Sequence, residues 1–323
     1  MDGPLMDGRA ACTDHSLRPR PRRRLAAALV AAATLLATLG AASVRAADIV
    51  VRDDAGTEHR LSAPPKRIVS MLPSLTEMVW VAGAGPRLVG VDRYSDWPPQ
   101  IEGLPRLGGL DDAQIEAIAA LKPDLVLASL SARSLERLQA LGFRVMRLRS
   151  ETHADVRRTL LLVARLLGNE EAGVRAWARI ERELDAAAAR VPPALHGARV
   201  YFEIGGGPYA AGASSFVGQT LARLGLVNIV PAELGPFPKL NPEFVVRARP
   251  QVVMGVQREL ATLARRPGWS AIPAVQSGGL CGFESPRYEM LIRPGPRLGE
   301  AAEALVDCLQ RLPPLAAQGA SSR

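Results

Sequence analysis

The sequence predicts an α/β fold of two Rossmann-like lobes with parallel-type sheets, joined by one long rigid α-helix. Three observations carry that expectation. Short apolar strands alternate with helical segments, the alternation gives way once to a long helical stretch and then resumes, and one helix–break–strand motif recurs on each side of it. Strands that are apolar throughout are what a parallel sheet covered on both faces requires.

Residues 1–46 stand outside this fold. A basic stretch (Arg18, Arg20, Arg22, Arg23, Arg24) runs into an Ala/Leu-rich apolar segment, and Val44-Arg45-Ala46 follows as a small-residue cleavage pattern. That order reads as a secretory signal peptide with cleavage near Ala46-Ala47 and a periplasmic destination, with general secretion favoured over the twin-arginine route. Without it the 40 basic and 32 acidic residues become 33 and 29, a net charge of +4. The arginines are scattered rather than gathered in a stripe, which argues against a nucleic-acid partner. Two cysteines remain, Cys281 and Cys308. In an oxidising compartment they form a disulfide or stay as two buried thiols, and spacing alone does not choose.

The amino-terminal lobe is expected over residues 47–151. It opens with a hairpin at 48–61 around Asp54-Ala55-Gly56. Arg67–Met71 reads as a buried strand, and Ser74-Leu75-Thr76-Glu77 as a capping box opening a helix that ends at Gly83. Leu88–Val91 is a strand, Ala113–Leu121 a helix, Asp124–Ala128 and Arg144–Leu148 strands. The connection, 152–193, holds two helices. The second is capped by Asn169 and stopped by Pro192-Pro193, with an apolar stripe at Val174, Trp177, Ile180, Leu184, Ala188 and Val191. The carboxyl-terminal lobe, 194–315, repeats the alternation with strands at Arg199–Glu203, Asn228–Val230, Val252–Gly255 and Leu280–Gly282. Helices are expected near Ser215–Leu224 and Pro242–Ala248, and residues 316–323 are left as a tail.

The repeat is the strongest signal. Glu116 to Leu127, centred on Lys122-Pro123, lies over Glu243 to Met254, centred on Arg249-Pro250: a helix, a basic-Pro break, a strand. Each copy carries a glutamate six residues before the break and an apolar residue six before that, Leu110 and Phe237. In parallel sheets ligands gather outside the carboxyl ends of the strands. Leu110, Phe237 and the Tyr94-Ser95-Asp96-Trp97 loop are therefore expected to line a cleft between lobes. Glu116 and Glu243 fit helix first turns, where the macrodipole favours a carboxylate, and equally fit two matched acidic knobs for a basic partner.

At these residues the sequence resembles the periplasmic binding proteins of the cobalamin and ferric-siderophore class. The resemblance is carried by Arg67-Ile-Val-Ser-Met-Leu-Pro-Ser-Leu-Thr-Glu77, Val89-Gly-Val-Asp-Arg-Tyr-Ser-Asp-Trp-Pro-Pro99 and Leu121-Lys-Pro-Asp-Leu-Val126. It spans about residues 65–310 and looks closest to the cobalamin-binding members. It implies a monomeric solute-binding component of an ABC importer, handing its ligand to a permease dimer in the inner membrane, with Glu116 and Glu243 as docking carboxylates. The positions matching the aromatic cage of cobalamin-binding relatives read Tyr94, Leu110, Ser129, Ile204 and Phe237, so two aromatics stand where five are implied. Trp97, Tyr209 and Trp269 are further candidates for stacking on a flat ligand.

The expected ligand is a metal chelate carried as cargo, with no intrinsic cofactor: cobalamin or a related corrinoid first, a ferric siderophore or haem as alternatives. Haem-binding relatives place a tyrosine near Gly109-Leu110, and none stands there. Arg93, Arg287 and Arg293 are candidate contacts for an anionic siderophore. A zinc or manganese receptor is a remote alternative, since His59, His153 and His196 lack ligand spacing. No catalytic or metal-binding residues are expected. Gly205-Gly206-Gly207 is followed by no Lys-Ser/Thr, and no nucleophile motif occurs.

Overall fold

The computed structural model describes residues 48–314; the segment expected to be a signal peptide and the expected tail, 316–323, lie outside the described residues. The chain opens with an antiparallel hairpin, β1 (Ile49–Arg52) and β2 (Glu58–Leu61). Asp53 organises its turn. The carboxylate accepts from the amides of Ala55 and Thr57, contacts His59 Nε2 at 3.0 Å, and reaches the Arg147 amide, so the buried His59 is consumed in the hairpin.

The amino-terminal sheet is wholly parallel, in the order β4 (Leu88–Val91), β3 (Ile68–Ser70), β5 (Leu125–Ser129), β6 (Val145–Leu148). Its helices are α1 (Pro73–Val81), α2 (Ile115–Ala120) and the short α3 (Glu136–Ala140). α1 departs from expectation. It starts at Pro73 with Leu72 as the flanking residue and no side-chain cap, so the proposed capping box does not form. Pro73 is itself suited to a first helical turn, since it lacks the N–H that would go unpaired there. Ser74 and Glu77 turn into the protein instead, where neither side chain makes a hydrogen bond.

Two helices follow, α4 (His153–Leu166) and α5 (Glu170–Ala189). The capping box expected at α1 is found at α4, where the Thr152 hydroxyl accepts from the Asp155 amide and the Asp155 carboxylate accepts from the Thr152 amide. Asn169 flanks α5 but donates its side-chain amide to the Ala82 carbonyl rather than capping the helix. The buried stripe of α5 is Ala172, Gly173, Ala176, Ile180, Leu184 and Ala187, with Val174 exposed. The stripe is rotated from the expected one because small residues let neighbouring helices approach. A Cβ on Gly173 would lie 2.7 Å from that of Ala164.

The carboxyl-terminal sheet runs β11 (Leu280–Phe283), β10 (Val252–Val256), β7 (Arg199–Gly205), β8 (Pro208–Ala210), with β9 (Val227–Asn228) also on β7. β8 is antiparallel, an edge strand turned back by Gly205–Gly207, and it departs from the all-parallel expectation. The expected α6 (Phe216–Arg223) and α7 (Pro242–Ala248) are joined by α8 (Gln257–Leu260), α9 (Pro273–Ser277), α10 (Ser285–Leu291) and α11 (Leu298–Leu309). Those last four and α3 lie outside the elements expected from sequence. α11 returns along α5, and a disulfide between Cys281 in β11 and Cys308 in α11, Cα atoms 5.8 Å apart, ties it to the sheet.

The repeat extends to its hydrogen bonds. Lys122 and Arg249, the basic residues before the two prolines, both adopt φ +47°, the left-handed region that a β-carbon disfavours. Arg67 donates to the Leu121 carbonyl at 2.6 Å, and Arg199 donates to the Arg249 carbonyl at 3.0 Å. The Arg67 amide bonds Asp124 and the Arg199 amide bonds Gln251, each at 3.1 Å.

Candidate functional site

The loop leaving β4 is built on buried polar groups. The hydroxyls of Ser70, Thr76 and Ser95 form a chain with 2.9 Å links, and Ser95 donates to the Asp92 carboxylate, whose other oxygen accepts from the Tyr94 amide at 2.8 Å. Burial pushes the Asp92 carboxyl above the ordinary carboxylate range, against the pull of these donors. With the backbone so held, the Tyr94 side chain has little choice but to project, and it is 61% exposed. Its ring lies against Gly109, where a β-carbon would sit 3.2 Å from it. Arg93 pairs with Asp112, which also accepts from the Gly109 amide at 2.8 Å, joining the two loops. Leu110 follows, exposed, its carbonyl fixed by Ser134. Ser129, at the end of β5, bonds Ser131 at 3.0 Å. Tyr94, Leu110 and Ser129 thus all stand at or beyond strand carboxyl ends of the amino-terminal sheet.

In the carboxyl-terminal lobe Ile204 and Tyr209 are directly paired across the β7–β8 hairpin, which puts their side chains on one face. Tyr209 also bridges to Lys239, so the segment carrying Phe237 runs beside it. Phe237 is exposed and its ring centroid lies 6.0 Å from that of buried Phe216. Beneath the hairpin, Tyr288 accepts from the Gly205 amide at 2.7 Å and donates to the Glu203 carbonyl; burial pushes its phenol up to about 12.

Trp269 is placed differently from expectation. It is 2% exposed, edge-on to Tyr201, with the Arg266 guanidinium 4.8 Å from its ring centroid. Arg266 in turn makes two hydrogen bonds to Glu203, at 2.6 and 3.0 Å, and Glu203 is 1% exposed. Trp269 is therefore core beneath an ion pair rather than an open stacking surface. These residues wall a cavity of about 520 Å³ whose rim includes Glu243.

Three arginines were candidates for an anionic ligand, and two are engaged. Arg93 is held by Asp112. Arg293 is 8% exposed and bonds Asp96 and the Tyr94 carbonyl, so a residue following α10 is locked to the loop after β4. Arg287 remains exposed. Trp97 is half-buried, with the Arg297 guanidinium 5.1 Å from its ring centroid. His153 bonds Thr220, and among the described residues no group of three or more His, Cys, Asp or Glu is placed to hold a metal ion. The sequence offered no signal for the Glu203–Arg266 pair or for Asp96–Arg293, since both join residues distant in the chain.

Glu116 and Glu243 both lie in the first turn of their helices, exposed. Glu116 contacts Arg137 at 3.3 Å, in a pair whose side chains are both mostly exposed. Among the described residues no ion pair involves Glu243.

Relatives and neighbours agree with this architecture. The vitamin B12-binding protein of Vibrio cholerae serotype O1 is 28% identical over 252 residues, covering 76% of this chain and 90% of that one. The crystal structure of the periplasmic vitamin B12 binding protein of Vibrio cholerae covers 76% of this chain and 97% of its own, at 27% identity and a TM-score of 0.63. A periplasmic heme-binding protein from Roseiflexus sp. RS-1 in apo form matches over the same shares, at 26% identity and a TM-score of 0.65. The profile of the periplasmic binding proteins matches residues 68–284, and the chain belongs to that family.

Proposed function

We propose that this protein is the solute-binding component of an ABC importer and that it captures cobalamin or a related corrinoid at the strand ends of its two lobes. One observation carries the reading. Tyr94 on one lobe, and Tyr209 and Phe237 on the other, are large side chains left exposed at the carboxyl ends of the two sheets, where a planar ligand gains most from aromatic surface. Similarity to vitamin B12-binding proteins supports the choice of ligand. Glu116 and Glu243, related by the repeat, are the carboxylates that meet basic pockets of the permease.

Titration with cyanocobalamin, followed by tryptophan quenching or calorimetry, tests the ligand. Tyr94→Ala and Phe237→Ala should each weaken binding by about 1–3 kcal/mol, the range for stacking on a planar partner. Unchanged curves for both would remove them from the site. Docking is tested in a reconstituted importer, where Glu116→Ala with Glu243→Ala should abolish transport while leaving cyanocobalamin binding intact.

A second reading has its own observation. Haem iron accepts a tyrosine oxygen as axial ligand, and the exposed Tyr94 ring packs on Gly109 with the Arg93 guanidinium 5.8 Å from its centroid. The Tyr94 loop thereby brings a phenol to the place where the local sequence, Gly109-Leu110, has none. The visible spectrum after adding haemin separates the two: an iron–phenolate band lost in Tyr94→Phe supports haem, and saturable cyanocobalamin binding without that band supports the corrinoid.

A further inference from the structure

A buried charge lies behind the Tyr94 loop. Glu77, in α1, is 1% exposed, and neither carboxylate oxygen accepts a hydrogen bond; the Ser74 hydroxyl on the same face is also unpartnered. The segment 293–297 covers it. Gly295 packs so closely that a β-carbon there would lie 3.2 Å from Glu77 Oε2. Arg293 Nη1 stands 3.6 Å from Glu77 Oε1, and the same nitrogen bonds Asp96 while Nη2 donates to the Tyr94 carbonyl at 3.1 Å. The other charges around this point are Glu289 of α10, 4.0 Å from Arg293, then Arg297, Glu300 of α11, and Asp92.

We propose that Arg293 is a positioning residue for the ligand loop Tyr94–Trp97, and that Glu77 competes with that loop for its guanidinium, so that protonation of Glu77 tightens the loop. The proposal rests on the reading that this loop lines the ligand site. Its physical basis is one cation shared among acceptors. A neutral Glu77 makes little claim on Arg293, whose donors then go to Asp96 and the Tyr94 carbonyl, as observed. An ionised Glu77 is a buried carboxylate without hydrogen bonds, an arrangement that is unfavourable until a donor reaches it. Nη1 of Arg293, 3.6 Å away, has to move by less than about 1 Å to make a charge-assisted bond. That movement draws the guanidinium from the loop. Burial holds Glu77 at about 7, with Arg293 and Arg297 pulling down and Asp96 and Glu300 pushing up, so the competition falls near neutral pH.

The test is amide hydrogen exchange at residues 93–97 in ligand-free protein, corrected for intrinsic rates, at about pH 6 and about pH 8. Wild type should be more protected at the lower pH, by roughly fivefold, the low end of coupling between two sites. Glu77→Gln should keep the higher protection at both values, and Arg293→Gln should show the lower at both. Asp96→Asn, at an exposed side chain that folding tolerates, should also lose the step. Equal protection of wild type at the two values, or a step that survives in Glu77→Gln or in Asp96→Asn, overturns the proposal. Cyanocobalamin and haemin titrations on the same samples address the ligand separately. If the exchange pattern holds and neither binds, Arg293 still positions the loop and it is the ligand assignment that fails.

Discussion

At the entry of each sheet the two lobes do the same thing: Arg67 and Arg199 bond the C-cap carbonyl of the helix that leads into the neighbouring strand, and Asp124 and Gln251 receive the strand amides. At the exit of the same strands they diverge. The amino-terminal lobe fixes the loop after β4 with uncharged hydroxyls, Ser70, Thr76 and Ser95, leading to Asp92. The carboxyl-terminal lobe uses a buried ion pair, Glu203–Arg266, laid over Trp269. The shared entry is scaffold and the divergent exit is where we propose that a ligand is met, so the difference marks which part of the repeat was free to change. It also means that the two lobes should respond differently to the loss of one side chain.

The largest effect is expected at the ion pair. Arg266→Ala leaves the Glu203 carboxylate buried without its cation, and stability should fall by about 3–5 kcal/mol in urea denaturation. A double change, Arg266→Met with Glu203→Leu, should recover most of it, because the penalty lies in the unpaired charge. The second device peculiar to the carboxyl-terminal lobe is the disulfide. Cys281 and Cys308 are 27 residues apart, and closing a loop of that length stabilises by about 3.5 kcal/mol through the unfolded chain. Changing both to Ala should lower the unfolding free energy measured in urea by that amount, and reductant should have no further effect on the variant.

Glu77 gives the amino-terminal lobe a response to pH of similar size. Its carboxyl sits at about 7 in the folded protein against 4.5 in the unfolded chain, because burial disfavours the charge. Between those values the folded state holds a proton that the unfolded state has released, so stability falls as pH rises. The loss begins above about pH 4.5, is complete just above pH 7, and amounts to roughly 3 kcal/mol. Glu77→Gln should flatten that stretch of the stability profile. A variant that keeps the full slope would place the titrating group elsewhere.

The two lobes were legible from sequence to different depths, for physical reasons. The strands, the repeat and the basic-Pro breaks are local patterns, and proline with its preceding residue restricts the backbone wherever it stands. Leu110 and Phe237 were singled out because they keep a fixed distance from those breaks, and Tyr94 because its loop follows the strand Leu88–Val91. Glu77 was misread, because Ser-x-x-Glu looks the same whether it caps a helix or faces inward. What decides is Pro73 beginning the helix two residues earlier than a Ser74 cap would, and the segment 293–297 arriving from more than two hundred residues away. Trp269 was misplaced for a related reason. A tryptophan flanked by Gly268 and Ser270 reads as loop, and only the packing of Tyr201 and Arg266 around it makes it core. α11 escaped notice although its apolar residues recur at helical spacing, because its partner, α5, precedes it by more than a hundred residues.

The smallest expected difference separates the two repeat-related glutamates, Glu116 and Glu243. Glu116 contacts Arg137 with both side chains largely exposed, so Glu116→Gln should cost at most about 1 kcal/mol of stability, and salt should erase even that. Glu243 has no such partner among the described residues, and Glu243→Gln should leave the urea midpoint unchanged. The asymmetry matters more for docking than for folding. A basic permease pocket that meets Glu116 displaces Arg137 first, whereas Glu243 is already free and stands at the rim of a cavity. Arg137→Ala should therefore strengthen docking on the amino-terminal side, and no equivalent gain is available on the other. A reconstituted importer in which Arg137→Ala leaves the apparent affinity for the binding protein unchanged would mean that the Glu116–Arg137 contact is already open in solution.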